Sequence, residues 1–127
     1  MKGEEMREED SLLINVHNLL TIGSFILDQA EKNLKVLGEI LSSCEKGKRD
    51  SINRCVLFEL TDSIDLMVLC EEIDKNLSNP LISPECMASL NNLKKETRSI
   101  ICNLKVLENA LSQYTVCPLM TNGHAIN

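Results

Sequence analysis

From Leu13 onward the chain sets an apolar or small residue at every third or fourth position: Leu13, Val16, Leu20, Gly23, Leu27, Ala30, Leu34, Leu37, Leu41 and Cys44. Leu12, Leu19, Ile26 and Ile40 widen this line on one flank. A spacing alternating between three and four keeps one stripe of a helix facing its neighbours. Held over roughly four heptads, it is also the pattern of coiled-coil-like packing. Asp10 or Ser11 can cap the start, because a short side-chain oxygen accepts from an orphan backbone N–H. Gly47 can end the helix in the left-handed conformation open to glycine. A helix over about 10–45 follows, and Gly23 and Ala30 are small enough to let a second helix approach closely.

The next stretch, Ile52–Leu77, is more apolar than one helix face requires. Between Cys55 and Cys70, eleven of sixteen residues are apolar. At 100° per residue, Val56, Leu57, Leu60, Ile64, Met67 and Val68 form one broad face, with Ile52, Cys55, Leu66, Cys70, Ile73 and Leu77 beside it. Phe58 and Leu69 lie in the remaining strip with Arg54, Thr61, Asp65 and Glu72. An amphipathic helix needs an apolar stripe of about 100°, and this one offers roughly twice that. With Asp50 or Ser51 as cap, it is expected to be one helix over about 50–78, covered on two sides.

Pro80 ends that helix, and Ser83-Pro84-Glu85 reads as cap, first-turn proline and acidic first turn. A third helix over about 84–115 carries Leu90, Leu93, Thr97, Ile100, Leu104, Leu107, Leu111 and Tyr114, again spaced three and four. Pro118 stops it. The expected fold is all-α: an up-down-up bundle of three long antiparallel helices, with dimerisation as one way to complete it. Residues 1–9 read as an acidic flexible N-terminus, 10–117 as a single helical-bundle domain and 118–127 as a loose tail. The layout resembles that of BAG-type chaperone-binding domains and spectrin-like bundles. It lacks the first-helix tryptophan typical of spectrin repeats, and Leu93-Lys-Lys-Glu-Thr-Arg98 is too generic to carry a BAG contact across.

Composition narrows the function classes. Aromatic residues are 2% of the chain, so the core is built of Leu, Ile, Val, Met and Cys, which suits helices better than strands. The net charge is −6, and even the most basic segment, 84–115, carries four basic residues against three acidic ones. A nucleic-acid binder needs a basic face to neutralise phosphates, so none is expected. The acidic start lacks the apolar core of a signal peptide, and no unbroken apolar run of about 18 residues occurs. The expected location is intracellular, cytoplasmic or nuclear, with no membrane span.

Cys44, Cys55, Cys70, Cys86, Cys102 and Cys117 contain no Cys-x-x-Cys pair, and His17 and His124 lie near opposite ends of the chain. Neither a zinc site nor a disulfide framework is indicated, and the cysteines read as small buried hydrophobes. No nucleophile–histidine arrangement, Glu-x-x-His pair or glycine-rich phosphate loop is present, so no enzyme, cofactor or metal is expected. Charged residues on the second helix (Asp62, Asp65, Glu71, Glu72, Asp74) and the third (Lys94, Lys95, Arg98, Lys105) read as cross-helix pairs or a solvated face.

The surplus hydrophobicity points to non-enzymatic protein–protein interaction, with a partner or with a second copy as homodimer. Ile22, Phe25 and Val36 on the first helix and Phe58, Val68 and Leu69 on the second are the candidate interface residues. Two other readings are a small helical carrier of an apolar ligand and a thiol-based redox regulator using Cys44 or Cys117.

Overall fold

Ser83 begins the most clearly encoded helix. Its hydroxyl accepts from the Cys86 N–H at 3.2 Å, its carbonyl accepts from Met87, and Pro84 occupies the first turn beside Glu85. The computed structural model describes residues 7–116. The expectations for Cys117, Pro118, His124, the tail from Leu119 and most of the acidic N-terminus therefore lie outside the described residues.

The order along the chain is α1 (Glu8–Glu45), β1 (Ile52–Asn53), α2 (Arg54–Thr61), α3 (Ile64–Leu77), α4 (Pro84–Leu111), a 3-10 turn (Ser112–Tyr114) and β2 (Thr115–Val116). The described chain is mostly helical, with three helices packed against each other. The helices are not all long. α1 begins at Glu8, so Asp10 and Ser11 are inside it rather than capping it, and Glu8, Glu9 and Asp10 place negative charge in its first turn, where the helix dipole favours it. It ends as the sequence suggests. Gly47 has φ +74°, the Lys48 N–H donates to the Ser43 carbonyl, and the Gly47 N–H donates to that of Cys44. That pair of bonds is the Schellman arrangement, which satisfies carbonyls left over at a helix end.

The middle segment is not one helix. α2 and α3 are separated by Asp62 and Ser63, with Asp62 extended at φ −60°, ψ 109°. Thr61-Asp62-Ser63 places together three short polar residues that hydrogen-bond locally and so favour helix ends. The Thr61 hydroxyl donates to the Leu57 carbonyl at 2.8 Å. Asn53, not Asp50 or Ser51, caps α2, its side chain accepting from the Cys55 N–H at 2.7 Å. The residues just before it are extended because β1 pairs in parallel with β2, Ile52 opposite Thr115 and Asn53 opposite Val116. No strand was expected there, and two residues on each side leave no alternation to read.

The chain divides into two compact units, Met1–Asp28 with Ile64–Ser99 and Gln29–Ser63 with Ile100–Asn127. α1 and α4 each supply residues to both. In the first unit, Leu12, Val16 and Leu27 of α1, Leu66, Leu69 and Ile73 of α3, and Leu90, Leu93 and Thr97 of α4 are buried. The fully enclosed Thr97 hydroxyl donates to the Leu93 carbonyl at 2.7 Å, which spares an unmet hydroxyl. Lys94 of α4 pairs with Asp74 of α3, so one of the expected cross-helix pairs forms. In the second unit the buried set is Ala30, Leu37 and Cys44 of α1, Ile52, Leu57 and Thr61 around α2, and Ile100, Leu104 and Leu111 of α4.

At Gly23 the first unit is closely packed. A Cβ there would lie 2.7 Å from Leu93 Cδ2 and 3.3 Å from Leu69 Cδ1. Gly23→Leu is expected to destabilise the protein by about 2–3 kcal/mol through overpacking. Gly23→Ala is expected to stay within about 1 kcal/mol of the parent, because the helix-propensity gain offsets a small shift of Leu93. Urea unfolding followed by circular dichroism measures both.

Candidate interaction groove

A surface depression of about 890 Å³ lies within the first unit, between α1 and α3. On α1 it is lined at helical spacing from Glu8 through Leu12, Asn15, Leu19 and Ile22 to Ile26, and on α3 from Asp65 through Val68, Leu69 and Glu72 to Asn76. These are the repeats of i, i+3, i+4 and i+7 that put residues on one helix face. From Glu8 to Ile26 the α1 wall is about 27 Å long at 1.5 Å per residue. Leu12 and Leu69 are buried, while Ile22 and Val68 remain 56% and 48% exposed. The result is an apolar floor open to water, not a closed cavity.

The six sequence candidates are thus divided. Ile22, Val68 and Leu69 come together at the groove. Leu69, however, is 2% exposed, so it belongs to the core and reaches the groove only as floor. The reason is the break at Asp62–Ser63. A single helix through 52–77 puts Leu69 in the polar strip, whereas on the separate α3 it shares a buried stripe with Leu66 and Ile73. Phe25 is 73% exposed and lies outside the groove lining. Val36 and Phe58 belong to the second unit. Val36 lines a shallow hollow of about 190 Å³ with Glu39 and Ile40, and Phe58 one of about 260 Å³ with Arg54 and Glu108.

Polar residues of the groove were not anticipated. Asn15, Asn18, Asn76 and Asn79 all line it. The Asn76 side-chain amide donates to the Glu72 carbonyl at 2.8 Å, and Asn79 accepts from the Leu81 N–H at 2.9 Å, leaving the rest of each amide for other partners. Asn15 and Asn18 make no side-chain hydrogen bond among the described residues. Their signal was present in the sequence: asparagine at positions 15 and 18, three apart beside an apolar line, is costly inside a helix unless it has a role. At the rim, Glu8 and Asp65 enter no ion pair among the described residues, while Lys75 pairs with Glu72 at 3.7 Å.

No protein-family model, curated protein or solved structure matches this chain. The groove is therefore read from its own residues. His17 is exposed on α1, and among the described residues no group of three or more His, Cys, Asp or Glu side chains is placed to hold a metal ion. α1 is long and apolar enough to cross a membrane by length and composition, with mean hydropathy 1.3 over an 18-residue window of which 22% is buried. Asn15, His17 and Asn18 are polar positions within that apolar stretch.

The cysteines depart from the expectation that all are buried. Of the two thiols considered for a redox role, Cys44 is buried and Cys117 lies outside the described residues. Cys55 and Cys102 are exposed, and Cys70 and Cys86 are half-buried. Burial pushes the Cys70 thiol above its ordinary pKa and Asp74 adds to this, against the opposing pull of Arg98 and Lys94. A thiol that keeps its proton is a poor nucleophile. Residue-resolved alkylation near neutral pH is expected to modify Cys55 and Cys102 first, with Cys44 at least about tenfold slower because it must wait for opening of its unit. Cys70 reactivity is expected to rise at a higher pH than that of an ordinary thiol, since burial delays formation of its thiolate.

Proposed function

We propose that this protein is a non-enzymatic interaction module, an adaptor, scaffold or regulatory subunit that binds another protein or a second copy through exposed apolar helix faces. The observation carrying this reading is the α1–α3 groove, in which Ile22 and Val68 stand exposed over a buried Leu12 and Leu69 floor. Isolated exposed apolar residues are ordinary on any protein surface. A continuous apolar groove with a polar rim is the form in which helix-binding surfaces occur. The binding chemistry is burial and shape, with rim charges acting mainly on association rate and selectivity.

In this reading the helices keep the antiparallel, up-down-up order with coiled-coil-like contacts. The contact of Gly23 with Leu69 and the presence of both Glu8 and Asn79 on the same groove support that order for α1 and α3. An intracellular location, in the cytoplasm or nucleus, suits a chain with several free thiols.

Phe25 and Phe58 are exposed at 73% and 62%, so charging either leaves the core intact. Phe25→Asp and Phe58→Asp are expected to retain full helicity by circular dichroism. Each is expected to weaken association by about 1–2 kcal/mol where its ring forms part of the interface, as large exposed anchors do. Light scattering at micromolar concentration, with hydrophobic-dye binding alongside, measures this. A clean monomer that binds no dye and captures no partner would sink the module reading.

A further inference from the structure

Resting on that reading, we infer that the α1–α3 groove takes a cationic amphipathic helix from a different protein, about five turns long, as a fourth helix of the first unit. The length follows from the α1 wall, which runs about 27 Å from Glu8 to Ile26 at 1.5 Å per residue. A helix laid there meets Leu19, Ile22, Ile26 and Val68 through an apolar stripe of its own, spaced three and four.

The charge of the occupant follows from the rim. Glu8 opens α1 and Asp65 opens α3; with the two helices antiparallel, these carboxylates stand at opposite ends of the groove. Neither is neutralised by an ion pair among the described residues, and the only cation of the lining, Lys75, is already matched by Glu72. An incoming helix with Lys or Arg near both ends of its stripe finds a carboxylate at each. An acidic helix meets repulsion at each. Register comes from the asparagines. Asn15, Asn18 and Asn76 offer amides over part of the groove, where a polar residue on the partner is satisfied and a large apolar one leaves those amides unmet.

The same rim argues against a second copy. Groove-to-groove pairing brings the unpaired carboxylates Glu8 and Asp65 of one molecule toward those of the other. The exposed basic side of α4, with Lys95, Arg98 and Lys105, is the one surface of a second copy whose charge suits the groove, and loss of self-association in Val68→Asp would reveal it as the occupant. An anionic membrane surface is repelled by the same carboxylates.

The test uses the full chain and three synthetic helical peptides of about 20 residues, matched to the groove length. One carries a Leu/Ile stripe with lysines at both ends, the second replaces those lysines by glutamates, and the third keeps the lysines but scrambles the stripe. Fluorescence anisotropy is expected to give binding of the first. The second is expected to bind at least about tenfold more weakly, and the third not to bind. Val68→Asp, a change at an exposed position, is expected to abolish binding of the first peptide with helicity unchanged. The double variant Glu8→Lys, Asp65→Lys is expected to reverse the charge preference, whereas Glu31→Lys, Glu39→Lys, which alters net charge equally outside the groove, is expected to leave it.

Equal binding of the lysine and glutamate peptides, reversal by the Glu31/Glu39 control, or binding that survives Val68→Asp would each overturn the inference. So would no binding of any peptide together with self-association lost in Val68→Asp, and so would capture by phosphatidylcholine–phosphatidylserine vesicles in place of peptide. In those last two cases the groove has another occupant. Self-association leaves the interaction module standing, and vesicle capture replaces it with a membrane-surface role. Absence of peptide binding, self-association and dye binding together would remove both the inference and the module.

Discussion

An α-helix can turn only one stripe toward one set of neighbours, and the most apolar part of this chain carries two. On an unbroken helix the Leu57–Thr61 stripe and the Leu66–Leu69–Ile73 stripe would point roughly 130° apart, at 3.6 residues per turn. The extended Asp62 and the adjoining Ser63 free them from a common axis. α2 then buries Leu57 and Thr61 in the second unit, and α3 buries Leu66, Leu69 and Ile73 in the first. Other features follow from that interruption. Asn53 serves as a cap because α2 begins after β1, and α2, only eight residues long, is flanked by the short parallel pairing of Ile52–Asn53 with Thr115–Val116. A helix this short is marginal by itself and depends on its packing.

Polar groups were placed so that this packing costs little. Thr61 and Thr97 are buried but donate into their own helices, and among the described residues no buried side-chain nitrogen or oxygen lacks a partner. The Asp74–Lys94 pair joins α3 to α4 near the surface, where an ion pair contributes little stability and more to the choice of register. The close approach at Gly23 has the opposite character. It admits two leucine side chains to the backbone of α1, so a side chain much larger than a methyl group has no room there.

The groove is a by-product of the same geometry. α3 commits Leu66, Leu69 and Ile73 inward, which leaves Val68 beside the exposed Ile22 of α1 with nothing described to cover them. In the proposed role its asparagines and carboxylates would make the surface selective. A purely apolar trough attracts many partners, whereas uneven polarity along a groove rewards one alignment and penalises others. The thiols are set apart from this surface: none of Cys44, Cys55, Cys70, Cys86 and Cys102 lines the groove.

Much of the fold was legible from residues alone, because helical spacing and end signals are local. Of the two lines read from spacing, Val16, Gly23, Leu27, Ala30, Leu37 and Cys44 on α1 and Leu90, Leu93, Thr97, Ile100, Leu104 and Leu111 on α4 are buried, whereas Leu20, Leu34, Leu41, Leu107 and Tyr114 are half-buried. Gly47 and Ser83-Pro84 mark the ends they suggested, but α4 stops at Leu111, short of the expected 115. The exposure of Ile22, Phe25, Val36, Phe58 and Val68 was legible for the same reason. Leu13, Leu69 and the exposed cysteines were not. Whether a residue on the edge of a stripe is core or surface depends on which neighbour lies over it, and that is a property of several distant segments at once. The break at Asp62–Ser63 and the pairing of residues some sixty positions apart belong to the same class. Local chemistry made them permissible, and only the requirement that each helix bury a single stripe decided that they occur.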